Sequence, residues 1–318
     1  PVIALAMGDP AGISPELTAK VVALDEVRNA ARVVVIGDRR VFDEGASIAR
    51  TEVRDVEFQD LKHLDPSTIR RGVASKEGGA SALANYRHAL RMAAGGNAHA
   101  VCFTPFNKRA MRLAHPSYED EIGFTSGVLG FKGAATEFNI LEGLWNARVT
   151  SHIPLSKVAG ALTVDGIIQA LGLTATALRA AGFEPPRIGV AALNPHAGDG
   201  GNFGREEIDI IEPAVRKARA QGLPADGPYP ADTVFVRAKG GQFDAVLTMY
   251  HDQGQIAMKL LGFDRGVTLL GGYPFPICTP AHGTAYDIAG KGVANVGAAR
   301  AALLLAARMA RKGPRGTA

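Results

Sequence analysis

The stretch Asp244-Ala-Val-Leu-Thr-Met-Tyr-His-Asp-Gln-Gly-Gln-Ile-Ala-Met-Lys259 decides how the chain is read. Its apolar run, Ala245-Val246-Leu247, has the length of a buried strand. Directly behind it stand His251, Asp252, Gln253 and Gly254, groups that a buried strand end does not need for packing, and Lys259 follows a further apolar segment. Open α/β sheets bind ligands beyond the carboxyl ends of their strands, so chemistry is expected here. A second stretch, His282-Gly-Thr-Ala-Tyr-Asp-Ile-Ala-Gly-Lys-Gly-Val-Ala-Asn295, is rich in glycine and small residues. It reads as a loop passing into a helix and suits a backbone-lined nucleotide site.

The same pattern recurs on either side. Residues 2–6, 32–36, 98–103 and 187–193 read as strands, and Ala82, Leu83, Tyr86, Ala89 and Leu90 recur at helical period within 75–94. Strands alternating with helices imply βαβ units and a largely parallel sheet. Residues 137–141 and 147–150 flank Glu142-Gly143-Leu144-Trp145-Asn146 and read as an antiparallel hairpin. Helices are expected on both sides of Val164-Asp165 and over residues 204–221, and Ser14 reads as an N-cap ahead of Pro15. There is no repeat, low-complexity tract or loose linker.

Bulk properties exclude several classes. With 47% hydrophobic and 21% charged residues among 318, the chain is no disordered polymer. A net charge of +4 is scattered, apart from Arg308, Arg311, Lys312 and Arg315, a cluster that reads as a solvated end and not as a nucleic-acid site. The two cysteines, Cys102 and Cys278, have neither metal nor redox spacing, as in a reducing cytoplasm. No apolar run approaches the roughly 20 residues of a membrane helix, and residues 1–7 are too short for a signal peptide. The expectation is a cytoplasmic enzyme with no membrane and no nucleic-acid partner.

Three of the eight histidines, His152, His196 and His251, fall just beyond expected strands. Their separations, 196−152 = 44 and 251−196 = 55, form no local metal motif, and a lone histidine is ordinarily a hydrogen-bonded surface or core group. Parallel strand ends converge, however, and three imidazoles with open positions suit a catalytic divalent ion. Asp232 and Asp252 are candidates to lie near the ion, and Lys259 near the substrate. The plainer readings are an N-cap for Asp232 and a solvated Lys259. His63, His88, His99 and His115 are assigned no chemistry.

At these residues the sequence resembles the 4-hydroxythreonine-4-phosphate dehydrogenases of vitamin B6 synthesis and their relatives. The matching segments are Gly8-Asp9-Pro10-Ala11-Gly12-Ile13-Ser14-Pro15-Glu16, Asn194-Pro195-His196-Ala197-Gly198-Asp199-Gly200-Gly201, Pro230-Ala231-Asp232-Thr233, Tyr250-His251-Asp252-Gln253-Gly254 and His282-Gly283-Thr284-Ala285. The resemblance implies an α/β fold similar to isocitrate and isopropylmalate dehydrogenases, with two α/β/α domains around a central cleft. The expected division is 1–125 plus 275–318, with the cofactor loop, and 126–274, with the metal ligands and dimer contacts. It also implies a homodimer with a shared active site. One divalent ion (Zn, Co, Mn or Mg) would be held by His152, His196 and His251, the last supplied by the partner subunit. The family's substrate lysine matches Lys259, and its site carboxylates match Asp232 and Asp252. Residues 282–295 resemble the adenosine loop of isopropylmalate dehydrogenases, which implies NAD bound by His282, Gly283, Thr284, Ala285, Asp287 and Asn295.

The chain departs from that pattern where the substrate would bind. The family's Gly-His-Thr-Glu-Phe segment corresponds to Tyr118-Glu119-Asp120-Glu121-Ile122-Gly123-Phe124, a substrate asparagine falls at Thr268, and a substrate arginine falls at Ile277. A phosphate needs several donors to offset its desolvation. The expectation is therefore NAD- and metal-dependent oxidation, with decarboxylation, of a non-phosphorylated hydroxy acid or dihydrodiol carboxylate, as in a relative of terephthalate breakdown. The alternatives are the vitamin B6 reaction itself or oxidation of a phosphorylated threonate or erythronate. More distant is an acyl transferase of the phosphate acetyltransferase type, which needs neither the histidines nor the loop.

Overall fold

A computed structural model describes residues 1–312; Arg315 of the basic cluster lies outside them. Eleven strands lie among these residues: β1 (Val2–Ala6), β2 (Arg32–Gly37), β3 (Glu57–Asp60), β4 (Ala100–Phe103), β5 (Thr136–Leu141) and β6 (Leu144–Arg148). They continue with β7 (Ile188–Ala191), β8 (Ala225–Tyr229), β9 (Ala245–Thr248), β10 (Val267–Gly271) and β11 (Ile277–Pro280). The α/β class is as expected. The chain forms two compact units, Pro1–Ala134 with the segment from Asp264 onward, and Ala135–Phe263.

In the first unit the strand order is β3-β2-β1-β4-β11-β10. Every pair is parallel except β10 with β11. Ile3, Ala4 and Ala6 have no exposed surface, because β1 pairs on both sides, Ile3 facing Val33 and Ala100. One face of the sheet packs on helix Lys76–Ala94 through Tyr86, Ala89 and Leu90, the periodic positions of the sequence. Helix Gly297–Lys312 packs on β4 and β11. Cys102 and Cys278 are register partners there, and both are buried free thiols.

In the second unit the order is β5-β6-β9-β7-β8, with β5 and β6 antiparallel and the rest parallel. The hairpin is tighter than expected. Only Glu142 and Gly143 form the turn, because Trp145 is a core residue, 1% exposed, against Phe138 and Phe183. The expected helix over 204–221 is instead a π-turn, Glu207–Ile211, followed by helix Glu212–Ala220. Pro213 is the reason: it has no N–H to donate, its ring crowds the carbonyl of Asp209, and a wider turn relieves the clash. Among the described residues no single helix is long and apolar enough to cross a membrane.

Candidate metal centre and cofactor loop

The second unit carries all three histidines. Beyond β6 and β9 the chain stays paired: Val149 N–H donates to Thr248, and Thr150 donates to the Met249 carbonyl through both its N–H and its hydroxyl. This pairing carries His152 and His251 side by side, with ring centroids 5.7 Å apart. Two imidazoles each about 2.1 Å from one ion have centroids on the order of 5–6 Å apart, so the pair fits a shared divalent ion. His251 Nδ1 lies 2.6 Å from Asp252 Oδ1. A carboxylate on Nδ1 fixes the ring and leaves Nε2 as the lone-pair donor, the usual partner of a metal-bound histidine. The resemblance places His251 in the partner's site; here it neighbours His152 of its own chain.

The rest of the Tyr250-His-Asp-Gln-Gly motif is structural. Gln253 accepts from Met249 N–H at 2.7 Å and donates to the Ala192 carbonyl at 2.6 Å, which stitches the ends of β9 and β7 together. Gly254 lies against Asn146, whose Oδ1 would be 2.2 Å from any Cβ at that position. The neighbouring Asn146 amide donates to Ala147, Val246 and Thr248 and locks β6 to β9. Lys259 is exposed in the same helix, His251–Gly262. Asp232 is exposed in the first turn of helix Ala231–Lys239; the N-cap is Pro230, so the capping reading of Asp232 is corrected.

His196 is held differently. It begins a run of five residues in the left-handed region, His196 through Gly200, of which His196, Ala197 and Asp199 are not glycine. Each non-glycine residue there costs about 1–2 kcal/mol, and such strain persists only where surrounding contacts impose it. The group that anchors the chain just ahead of this run, missed in the sequence, is Glu207. Its carboxylate, 1% exposed, accepts from Leu193 N–H and Asn194 N–H, both at 2.8 Å, and from the Asn194 amide at 3.0 Å. The sequence shows only an acidic residue three positions after Gly204, which names no partner for it. Among the described residues no three His, Cys, Asp or Glu side chains are grouped to hold an ion, so His196 does not join the His152–His251 pair within this chain.

The first unit carries the glycine-rich loop, and its carboxylates explain the loop's shape. Glu16, buried in helix Ser14–Val22, accepts from Ala294 N–H at 2.9 Å and from Gly292 N–H at 3.1 Å. Lys20, one turn later, donates to the carbonyls of the same two residues at 2.9 and 2.8 Å. At the other end Ile13 N–H donates to the Thr284 carbonyl, and Gly12 allows that approach, since a Cβ there would meet Thr284 at 2.7 Å. Ser14 is not the N-cap; its hydroxyl donates to the Pro105 carbonyl at 2.8 Å. The loop does not become a helix by Asn295 either: Asn295 Oδ1 accepts from Gly297 N–H at the start of helix Gly297–Lys312. Thr284 is buried, His282 and Ala285 are half-buried, and Gly283, Asp287 and Asn295 are exposed. Tyr286 donates to Asp9, and burial pushes the Asp9 carboxyl above its usual range.

Replacing Glu16 by alanine leaves two backbone donors without acceptors while Lys20 keeps its carbonyls. Charged hydrogen bonds contribute about 1.5–3 kcal/mol each, so the loop should loosen, and the KM for the NAD that the resemblance implies should rise about tenfold or more with kcat less affected. Cofactor titration and thermal unfolding check this; an unchanged KM for NAD would assign the pair to folding alone.

The proposed substrate positions have a clear setting. Ile277 has no exposed surface and belongs to the core with Ala6, Tyr86, Phe103 and Leu270, so no donor extends from it. Beside it Phe103 and Phe106 stack at 4.3 Å, and Tyr86 lies 4.8 Å from Phe103. Thr268 is half-buried in β10. Asp120 is spent on the N-cap of helix Glu121–Leu129, and Glu121 pairs with Lys108 at 3.4 Å.

Comparison with known proteins shows the family. Residues 29–306 match the family model described as pyridoxal phosphate biosynthetic protein PdxA. A Rhizobium meliloti protein named "Putative 4-hydroxythreonine-4-phosphate dehydrogenase 2" is 61% identical over 98% of this chain and 94% of its own. A D-threonate 4-phosphate dehydrogenase of Salmonella typhimurium is 35% identical over 97% of this chain and 98% of its own. The solved structure of a terephthalate 1,2-cis-dihydrodiol dehydrogenase from Burkholderia xenovorans superposes with a TM-score of 0.69 at 30% identity, over 96% of this chain and 97% of that one.

Proposed function

From the premise that the chain belongs to the PdxA family of pyridoxal phosphate biosynthetic proteins, we propose that it is an NAD- and divalent-metal-dependent dehydrogenase of a phosphorylated four-carbon hydroxy acid. The observation that carries this reading is near-full-length similarity to dehydrogenases named for 4-hydroxythreonine 4-phosphate and D-threonate 4-phosphate. It replaces the non-phosphorylated substrate expected from the sequence as the first reading.

The residues support specific roles. His152 and His251 would hold the ion, with Asp252 orienting His251. When bound, the ion would supply Lewis acidity toward the substrate's alcohol oxygen and toward the charge that develops if CO2 is lost. Lys259 would exchange the proton of the alcohol, and Asp232 would stand near the metal ligands as a second carboxylate. NAD would lie along residues 282–295, with exposed Asp287 available to accept from ribose hydroxyls and exposed Gly283 allowing close backbone approach. His196 would complete the ligand set from a second copy of the chain, in a homodimer with shared sites.

That sharing predicts a pattern in mixed dimers. His196→Ala mixed with His251→Ala should recover part of the activity, because one site collects both defects and the other none. His152→Ala mixed with His251→Ala should recover nothing, because those two ligands come from one chain. Recovery in both mixtures after demonstrated subunit exchange would place His251 in the partner's site.

A second reading, a non-phosphorylated hydroxy acid or dihydrodiol, is favoured by one observation: apolar Ile277 stands beside stacked aromatic rings where the family's arginine is expected. Assay of both substrate classes with NAD and metal, following NADH, decides between them.

A further inference from the structure

We infer that Glu207 is the positioning residue for His196, setting where that imidazole stands through the backbone of the loop between β7 and the π-turn. The inference rests on the metal reading of His196 for its purpose, but its geometry is independent of any ion.

The loop is wrapped around this one carboxylate. Oε1 takes the N–H groups of both Leu193 and Asn194 as the chain leaves β7, and Oε2 takes the Asn194 amide. Gly198, at the centre of the left-handed run, sits so close that a Cβ there would be 2.7 Å from Glu207 Oε2. Glu206 takes the same Asn194 amide at 2.6 Å, and Gly204, at φ +132°, leaves room for that contact. Phe203 N–H closes the loop onto the Gly198 carbonyl at 3.1 Å, and the Phe203 ring lies 6.2 Å from the His196 ring. Glu207 is also the first residue of the π-turn. Single π-turns inside helices often mark functional positions, and here the turn brings a carboxylate under the loop while Pro213 keeps it from relaxing to an α-helix. A neutral side chain at 207 cannot satisfy three donors with an ionised acceptor, and the chain entering the left-handed run loses its anchor.

The test uses the intact protein with Co²⁺ alone as the probe, without NAD or substrate. Glu207→Gln and Gly198→Ala are compared with wild type and with His196→Ala by calorimetric titration of Co²⁺ and by the NMR resonances of the His196 ring without metal. Groups that orient metal ligands typically contribute 10–100-fold in metal affinity. Glu207→Gln and Gly198→Ala should each weaken Co²⁺ binding by at least tenfold and shift the His196 resonances, while those of His88 and His99 stay in place. Unmoved His196 resonances in a folded Glu207→Gln protein would overturn the inference, whatever the metal result. Undiminished Co²⁺ binding in His196→Ala would instead remove His196 from the ligand set, and the resonances would still decide whether Glu207 positions it. Should Glu207→Gln fail to fold, Gly198→Ala carries the same comparison.

Discussion

Alanine at His152 or His251 should lower kcat/KM by on the order of 10³ or more and leave the protein without the stoichiometric metal that the proposed site would hold. A catalytic ion contributes several kcal/mol of charge stabilisation, and each 1.36 kcal/mol is a factor of ten in rate. His152 is exposed and His251 half-buried, so neither is a packing residue whose loss would unfold the unit. Surface replacements of that kind ordinarily change stability by no more than about 0.5 kcal/mol. The loss must therefore appear in metal content and rate with the unfolding temperature nearly unchanged. Asp252→Asn belongs to the same series with a smaller effect, 10–100-fold in metal affinity, because it keeps the shape of the group that orients His251 and removes its charge. Metal analysis, steady-state kinetics and thermal unfolding on the three proteins check the series. Full metal content in His152→Ala, or kcat/KM within threefold of wild type, would sink the pair as ligands.

How far the sequence carried depends on the kind of signal. The βαβ pattern was legible because buried parallel strands such as β1 and β9 are short unbroken apolar runs, and helix Lys76–Ala94 has a clean helical period. β3 escaped because it is a polar edge strand, and β8 because it contains Gly227 and Pro228, which read as a turn. The hairpin's length was misjudged because Asn146 looked like a turn residue, whereas it spends its amide inside the sheet. At the site, the placement of three histidines beyond strand ends was readable, since it depends only on the order of elements. The clamps that give those loops their shape were not. Glu207 lies 11 residues from His196 (207−196 = 11), and Glu16 lies 276 residues from Gly292. Both are buried carboxylates that accept backbone N–H groups. Sequence alone gives an isolated glutamate no partner, so it reads as a solvated helix residue until the fold shows what it holds.

The remaining large effect separates the two substrate classes. With D-threonate 4-phosphate or 4-phosphohydroxythreonine, NAD and a divalent ion, kcat/KM should reach about 10⁴ M⁻¹s⁻¹ or above, the ordinary metabolic range. The dephosphorylated acids should be slower by 10³ or more. A bound phosphate accepts several charged hydrogen bonds at about 1.5–3 kcal/mol each, and two of them already amount to more than a hundredfold. Relatives named for such phosphates resemble this chain over almost its whole length, which is why this direction is expected. The contrary physical argument is specific. Ile277 contributes no donor, Thr268 has only a hydroxyl, and Asp120 and Glu121 would repel a dianion where the family has a histidine and a threonine. If those positions govern, the order reverses: the phosphorylated compounds lose by orders of magnitude, and an apolar or cyclic dihydroxy carboxylate takes their place. Both classes assayed side by side leave no middle ground. A kcat/KM for the phosphorylated acids a hundredfold below that for a dihydrodiol carboxylate would overturn the first reading and establish the second.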